Sequence, residues 1–249
     1  MKKIAFITGA TSGIGYSTAK LLAKKYSLIL CGRRKSRLKT IKMELSKITD
    51  VHILCFDVRD NNKLNGLINS LPEKWKSIYI LINSAGNAYG MNLIHEGDPN
   101  DWDAMIDINV KGLLYVSKLI IPLMIKSNKG IIINIGSIAG KEVYPKGNIY
   151  CASKYAVDAI TQGMRLDLNN YEIKVSSVNP GLVETEFALV RFKGDKKKAN
   201  SVYEGIDPLK PDDVAEVIEF IISRPYNVNI SDVTLFPKCQ ASSTMVKRN

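Results

Sequence analysis

The chain of 249 residues has only two histidines and four cysteines, and none of them stands in a metal-binding or redox pattern. The histidines, His52 and His95, have no cluster of ligand residues near them, so no metal site is predicted. The cysteines are far apart and form no Cys-x-x-Cys pair, which is typical of reduced thiols in a cytosolic protein. They are Cys31, Cys55, Cys151 and Cys239.

The sequence also lacks an uninterrupted apolar run of the roughly 18–20 residues that a membrane span needs. The N-terminal stretch MKKIAFITGA is too short on its apolar side for the core of a signal peptide. No repeat, low-complexity segment or Pro/Gly/Ser-rich linker divides the chain. We therefore predict one domain, residues 1–249, located in the cytosol and without a membrane partner.

Acidic residues are outnumbered, with 24 against 35 basic ones, and the net charge is +11. Such a field favours anionic partners, among them nucleic acid and phosphorylated cofactors. Nucleic-acid binding would require a clustered basic stripe with stacking aromatics. The lysines are scattered instead, and Lys196–Lys198 is the one dense run, so no nucleic-acid partner is predicted.

Seven short apolar runs alternate with longer amphipathic segments. The runs are rich in Ile, Val and Leu with little polar alternation, as expected for parallel strands covered on both faces. They are Ile4–Thr8, Leu28–Cys31, Val51–Phe56, Ile78–Ile82, Gly130–Ile135, Ile173–Val178 and Val233–Phe236. The predicted helices are Gly15–Lys25, Ser36–Ser46, Asp101–Lys126, Tyr150–Asn169 and Pro211–Ile222. This alternation predicts an α/β fold, a doubly wound parallel sheet of about seven strands with helices on both faces. The longest irregular stretch, 184–207, is a candidate lid.

A glycine-rich turn, Thr8–Gly15, joins the first strand to the first helix. We expect Gly9 to allow a sharp turn, Gly13 to allow close backbone approach and Gly15 to let the helix pack on the sheet. The N-terminus of that helix then faces a pyrophosphate. Glycine-rich turns are common, but this position favours a dinucleotide site; its other predicted contacts are Thr11, Ser12 and Ile14.

Three arginines, Arg33, Arg34 and Arg37, follow the second strand, where an NAD site usually carries an acid. Guanidinium groups bind phosphate through paired, charge-assisted hydrogen bonds. A solvated basic helix start is the alternative, but it would not explain the missing acid. The sequence therefore predicts NADP rather than NAD.

Tyr150 and Lys154 lie four residues apart, so on a helix they share one face. Tyrosine has an unperturbed pKa of about 10 and is a poor base. A nearby ammonium, with the charge of an oxidised nicotinamide, would favour the phenolate, which could exchange a proton with an alcohol. Ser137, 13 residues earlier at the end of the fifth strand, could stabilise negative charge on a substrate oxygen.

The order of these motifs and the Gly-x-x-x-Gly-x-Gly spacing resemble the short-chain dehydrogenase/reductase family. The resemblance implies a Rossmann-like single domain. It implies that Asp57 and Val58 line the adenine pocket, and that Lys154 bonds the nicotinamide ribose. It implies that Asn109 supports Lys154 through a water chain. Further implied cofactor contacts are Asn83 and Gly86, from a turn where Ser84 replaces the family's second asparagine, and Pro180, Gly181, Val183 and Thr185.

Several loops also resemble the NADP-dependent 3-hydroxy acid dehydrogenases, which include serine and allo-threonine dehydrogenases. They include Asn87–Met91, Pro180–Val183 with Thr185–Phe187, and Val190–Asp195. This implies a homotetramer that interconverts a small 3-hydroxy acid and its 3-oxo acid. The expected ligand of the substrate carboxylate is Arg191, alongside Lys193; pinning of the loop or a subunit contact is the alternative for Arg191. Other readings are a related reductase, for instance of oxoacyl thioesters, or a dinucleotide sensor without turnover.

Overall fold

A computed structural model describes residues 2–249, and its seven strands form one parallel sheet. The strands are β1 Ile4–Ile7, β2 Ser27–Gly32, β3 Val51–Cys55, β4 Ile78–Asn83, β5 Gly130–Ile135, β6 Ile173–Pro180 and β7 Asp232–Leu235. The order across the sheet is β3-β2-β1-β4-β5-β6-β7, so the direction of winding reverses between β1 and β4. The predicted fold class is confirmed, and a reversal of this kind opens a crevice at the carboxyl ends of the strands.

The central strands are apolar throughout because the sheet is covered on both faces. Successive residues of β5 illustrate this, since Ile131 and Ile132 are both buried but belong to different cores. Phe6 and Leu81 join Ile132 on one face, whereas Ile80 joins Ile131 on the other. Burial of both side-chain rows removes the alternation that a half-exposed strand would show.

Nine α-helices surround the sheet in the described part of the chain. They are α1 Gly13–Leu22, α2 Lys35–Leu45, α3 Asn61–Asn69, α4 Pro99–Ile106, α5 Leu113–Lys126, α6 Asn148–Asp167, α7 Phe187–Arg191, α8 Lys196–Ser201 and α9 Pro211–Ser223. Helices α3, α5 and α6 cover one face of the sheet, and α1, α2 and α9 cover the other. The prediction that 184–207 is irregular is wrong, because it holds α7 and α8. Helix α3 was also missed, because its asparagine-rich sequence favours turns.

Helices α4 and α5 are joined by a π-helical turn, Asp107–Gly112, into one helix of 28 residues. The most apolar stretch of 18 residues in this helix has a mean hydropathy of 1.6, which by length and composition is enough for a membrane span. The sequence predicts no membrane span, because polar residues interrupt the apolar ones. Nearly half of that stretch is buried inside the protein. Val116, Ile120 and Met124 are fully buried against the sheet. Packing in the core therefore accounts for the apolar face of this helix.

The turn between β1 and α1 is closed by a backbone contact between Gly9 and Gly15. Gly9 has a φ of +66°, which a side chain rarely tolerates. A Cβ added to Gly15 would lie 2.5 Å from the carbonyl oxygen of Gly9. The sequence predicts that Gly15 lets the helix pack on the sheet. In the structure glycine is required at this position because a side chain would collide with the backbone of Gly9 within the turn.

We predict opposite effects for two glycine-to-alanine changes. Gly15→Ala should lower the free energy of unfolding by about 1–3 kcal/mol, because the added methyl meets rigid backbone. The matched Gly66→Ala lies on exposed helix α3 with nothing within 4 Å of the new Cβ, and should raise it by about 0.5–1 kcal/mol. Chemical denaturation of both variants checks this, and equal stability of the two would contradict the assigned contact.

Candidate active site

A cavity of 680 Å³ lies at the carboxyl ends of β1, β4, β5 and β6. It extends from the glycine-rich turn to Tyr150 and passes beneath α7. Most of the predicted cofactor residues line it, namely Gly9, Thr11, Ser12, Gly13, Ile14, Arg33, Arg34, Asp57, Val58, Gly86, Tyr150, Lys154, Pro180, Gly181, Val183 and Thr185. The strand topology alone brings these distant segments together.

At one end of the cavity the guanidinium of Arg34 meets two hydroxyl groups. Its Nε and Nη2 donate to Thr11 Oγ1 at 3.0 and 2.8 Å, and Nη2 also donates to Ser12 Oγ at 2.6 Å. Ser12 immediately precedes α1, whose first N–H groups have no partner within the helix. A cation, two hydroxyls and a helix N-terminus converge here, and this set fits a phosphorylated dinucleotide.

Two carboxylates, Glu186 and Asp57, complete this end of the cavity. The sequence predicts Asp57 without its ion pairs and does not predict Glu186 as a site residue. Glu186, from the segment before α7, accepts from Arg34 at 2.6 Å and from Arg37 at 2.7 Å. Asp57 pairs with Arg59 at 2.8 Å and with Arg33 at 3.5 Å. A carboxylate therefore lies beside these arginines, although it comes from a segment 152 residues away from Arg34.

The structure separates Asn83 from the cavity. Its Nδ2 donates to Asn134 Oδ1 at 2.9 Å and to Ser117 Oγ at 3.1 Å, in a buried network beneath the sheet. Ser84 and Gly86 line the cavity instead. Side chains alternate across the end of a strand, so Asn83 faces α5 and its neighbour faces the cavity. Arg37 and Gly15 also lie outside the lining, although each contacts residues that form it.

At the other end of the cavity Tyr150, Lys154 and Ser137 are brought together by α6 and the end of β5. The ammonium Nζ of Lys154 donates to the carbonyl oxygen of Ile135 at 2.9 Å and lies 5.9 Å from the centre of the Tyr150 ring. Both side chains are buried. The close approach requires Gly140, where a Cβ would lie 2.6 Å from the Lys154 carbonyl oxygen.

Burial shifts both titrating groups toward their neutral forms. It raises the pKa of Tyr150, and Tyr144 adds to this, whereas the Ser137 hydroxyl and the Arg191 guanidinium act in the opposite direction. Burial also lowers the pKa of Lys154 to about 8. The expectation of a phenolate includes the charge of an oxidised nicotinamide beside the lysine ammonium. In the protein alone loss of hydration dominates and favours the neutral phenol of Tyr150.

Asn109 lies in the π-helical turn between α4 and α5 and is almost completely buried. Its Oδ1 accepts from the Asn87 amide at 2.9 Å, and its Nδ2 donates to the Asn87 carbonyl at 2.8 Å and to Ser153 Oγ at 3.0 Å. A Cβ on Gly86 would approach both Asn109 Oδ1, at 3.2 Å, and Lys154 Nζ, at 3.6 Å. Asn109 thus fixes the backbone beside Lys154 without bonding to it.

Arg191, the last residue of α7, reaches the ring of Tyr150. Its guanidinium carbon lies 5.3 Å from the ring centre, and Nη2 donates to the hydroxyl of Tyr144 at 2.6 Å. Nε donates to the Gly90 carbonyl at 3.3 Å, so Arg191 also pins that loop. Across residues 2–249 no carboxylate lies within 4.0 Å of its guanidinium. Lys193, in contrast, pairs with Asp101 at 2.9 Å.

Three comparisons place this geometry among known proteins. The family described as short chain dehydrogenase matches residues 3–195. The NADP-dependent 3-hydroxy acid dehydrogenase of Schizosaccharomyces pombe is 43% identical over 99% of this chain and 96% of its own. Sulfoacetaldehyde reductase 2 of Chromohalobacter salexigens is 40% identical over 98% and 97%. The closed form of a serine dehydrogenase complexed with NADP+ superposes with a TM-score of 0.94 at 38% identity, over 99% of both chains.

The low pKa of Lys154 predicts a pH dependence of stability. Between pH 8 and the unfolded value of 10.5, the unfolded chain binds a proton that the folded protein does not. The unfolding free energy of the wild type relative to Lys154→Met should therefore rise by about 1.4 kcal/mol per pH unit from pH 8 to 10. Below pH 7 the difference should be constant. Urea titrations across this range measure it, and a difference without slope above pH 8 would contradict the burial of a titrating lysine.

Proposed function

The chain belongs to the short chain dehydrogenase family and is an NADP-dependent oxidoreductase, and from this premise we propose that it interconverts a small 3-hydroxy acid and its 3-oxo acid. The predictions of an enzyme and of NADP are confirmed by these relatives. The observation that carries the substrate class is Arg191, a guanidinium beside Tyr150 with no carboxylate partner among residues 2–249. A cation held in a partly buried cavity favours an anionic ligand.

The proposed substrate would extend from the guanidinium of Arg191 to the hydroxyl of Tyr150. In a 3-hydroxy acid the hydroxyl and the carboxylate are separated by two carbons, a distance on the order of 4 Å. The guanidinium of Arg191 lies 5.3 Å from the Tyr150 ring centre. A carboxylate on Arg191 would therefore place the hydroxyl near the phenol. Serine, allo-threonine, 3-hydroxypropionate and 3-hydroxyisobutyrate all have this spacing.

We assign the proton transfer to Tyr150, which takes the alcohol proton in oxidation and returns it in reduction. Bound NADP(H) supplies or accepts the hydride. The Ser137 hydroxyl donates to the substrate oxygen and stabilises the negative charge that develops there. Lys154 would hold the nicotinamide ribose, and its ammonium would lower the cost of a phenolate on Tyr150. Asn109 fixes the backbone of Asn87 and acts as a positioning residue.

The end of the cavity that contains Arg34 is assigned to the adenosine half of the cofactor. Arg34, with Thr11 and Ser12, would bind the 2′-phosphate, because a guanidinium and two hydroxyls already converge there. The first turn of α1 would bind the pyrophosphate. A homotetramer in the cytosol remains a proposal that depends on the family resemblance.

A sulfonate substrate is the second candidate, because Arg191 would bind the oxyanion of a sulfonate as it binds a carboxylate. The 40% identity to a sulfoacetaldehyde reductase favours including it. Oxoacyl thioesters remain the alternative within the family. Initial rates with NADPH on a 3-oxo acid, sulfoacetaldehyde and an acyl thioester separate the three, and turnover of the thioester alone would overturn the proposal.

Replacing Tyr150 by phenylalanine should abolish turnover and leave binding of NADPH unchanged. The ring and its packing on Phe187 are retained, and only the proton donor is lost. Tyr155→Phe is the matched control on the same helix, since its exposed hydroxyl donates to the Lys141 carbonyl. We expect a loss of about 10²–10⁴ in kcat for Tyr150→Phe and none for the control. NADPH fluorescence measures the binding. Equal activity of the two variants would exclude Tyr150 from the chemistry.

Replacing Arg191 by alanine should raise the KM for acidic substrates about 10–100-fold, with a smaller effect on a neutral alcohol. Lys193→Ala tests the neighbouring cation, which is already paired with Asp101 and should have little effect. Steady-state kinetics on 3-hydroxypropionate and its methyl ester provide the comparison. An equal loss on acid and ester would show that Arg191 only pins the Gly90 loop.

A further inference from the structure

A single carboxylate connects residues 184–207, the candidate lid that contains α7 and α8, to the residues assigned to the cofactor phosphate. Glu186 is the N-terminal cap of α7, and its two oxygens accept from two different arginines, Arg34 and Arg37. Partial burial would raise the pKa of Glu186, but the hydrogen bonds from both arginines outweigh it and hold the pKa below its usual value. The carboxylate is therefore charged at neutral pH and fixed at the edge of the cavity.

The same short helix also forms part of the substrate end. Phe187 lies 5.5 Å from the Tyr150 ring, and Arg191 lies 5.3 Å from it. Five residues of helix span on the order of 8 Å, so Glu186 and Arg191 sit at opposite ends of one rigid element. An interaction that holds Glu186 in place would therefore also hold the guanidinium of Arg191 in place at the substrate end of the cavity.

The ionised side chains at the arginine end of the cavity have a net positive charge that favours binding of one more anion. Among residues 2–249, the ion pairs of four arginines form two clusters, Arg33 and Arg59 on Asp57 and Arg34 and Arg37 on Glu186. Each cluster has a net charge of about +1, so this network of two clusters has about +2. A phosphate monoester carries up to about −2 at neutral pH. Arg34 faces Glu186 with Nη1 and the Thr11 and Ser12 hydroxyls with Nε and Nη2. The network can thus accept a 2′-phosphate without releasing Glu186.

We infer that Glu186 is a positioning residue that ties the lid helix to the cofactor phosphate, so that the lid closes more firmly over NADP than over NAD. The inference rests on the proposed assignment of Arg34 to the 2′-phosphate. With the phosphate in place, Arg34 would be held by charged groups on two sides and would keep Glu186 in position. Without it, Glu186 is the one charged partner of Arg34 and Arg37 among residues 2–249, through half-exposed ion pairs that are individually weak.

The test uses adenosine 2′,5′-bisphosphate and 5′-AMP, which differ only in the 2′-phosphate, on the whole protein. Trypsin sites in the lid, from Arg191 to Lys198, report its closure through the rate of cleavage. In the wild type the bisphosphate should slow this cleavage about three- to fivefold more than 5′-AMP does, in line with a weak ion-pair coupling. Calorimetry measures the binding of both nucleotides.

Glu186→Gln keeps the shape of the side chain and removes its charge. This variant should bind the bisphosphate within about threefold of the wild type, yet lose the extra protection of the lid. Glu184→Gln is the matched control, because Glu184 pairs with Lys210 on the outer side of the same segment. It should behave as the wild type does.

Three results would overturn the inference. Full protection in Glu186→Gln would show that the carboxylate carries no coupling. A tenfold tighter binding of the bisphosphate in that variant would show that Glu186 competes with the phosphate instead of acting with it. Equal binding of the two nucleotides by the wild type would remove the phosphate site itself, and this outcome marks a failure of the assignment of Arg34, as distinct from a failure of the lid contact.

Discussion

Docking of α6 against the end of β5 is the contact on which the rest of the site depends. Gly140 passes so close to Lys154 that a single Cβ would collide with its carbonyl oxygen, and the Lys154 ammonium is held by Ile135 at the end of the strand. This contact takes Tyr150 and Lys154 out of water together. Burial raises the pKa of Tyr150 and lowers that of Lys154, so the protein alone holds both groups toward neutrality. The positive charge of a bound oxidised nicotinamide would add to that of the Lys154 ammonium in favouring proton removal from Tyr150.

The second organising element is α7, a helix of five residues that joins the two ends of the cavity. Its N-terminal cap, Glu186, lies among the arginines, and its last residue, Arg191, lies against Tyr150. In the proposed assignment, cofactor binding and substrate binding would therefore act on one short helix. The ion pairs of Glu186 are half-exposed, so the coupling that they would provide is small and depends on salt. A small coupling would suit a lid that opens in every turnover.

The sequence predicts much of this protein because its strands are buried on both faces. The runs of isoleucine and valine mark all seven strands within a few residues. The spacing of Tyr150, Lys154 and Ser137 locates the end of the cavity where the proposed proton transfer takes place.

The features that the sequence does not predict depend on contacts between distant segments. Glu186 meets Arg34 across 152 residues, and Tyr144 and Gly90 bind Arg191 across 47 and 101. Helices α7 and α8 are too short for a periodic pattern. Asn83 was assigned to the cofactor from a motif, but the register of β4 turns its side chain toward α5. The directions of the pKa shifts likewise follow from burial, which only the fold determines.

In the proposed function one cation, Arg191, selects an anionic substrate for an NADP-dependent hydride transfer. The most direct measurement is the ratio of kcat/KM for 3-hydroxypropionate to that for its methyl ester, taken with NADP+ and again with NAD+. We expect a ratio of at least about tenfold in favour of the acid, as for one buried charge-assisted interaction, and a clear preference for NADP+. A methyl ester turned over as well as the acid would contradict the role of the Arg191 site, whichever cofactor is used.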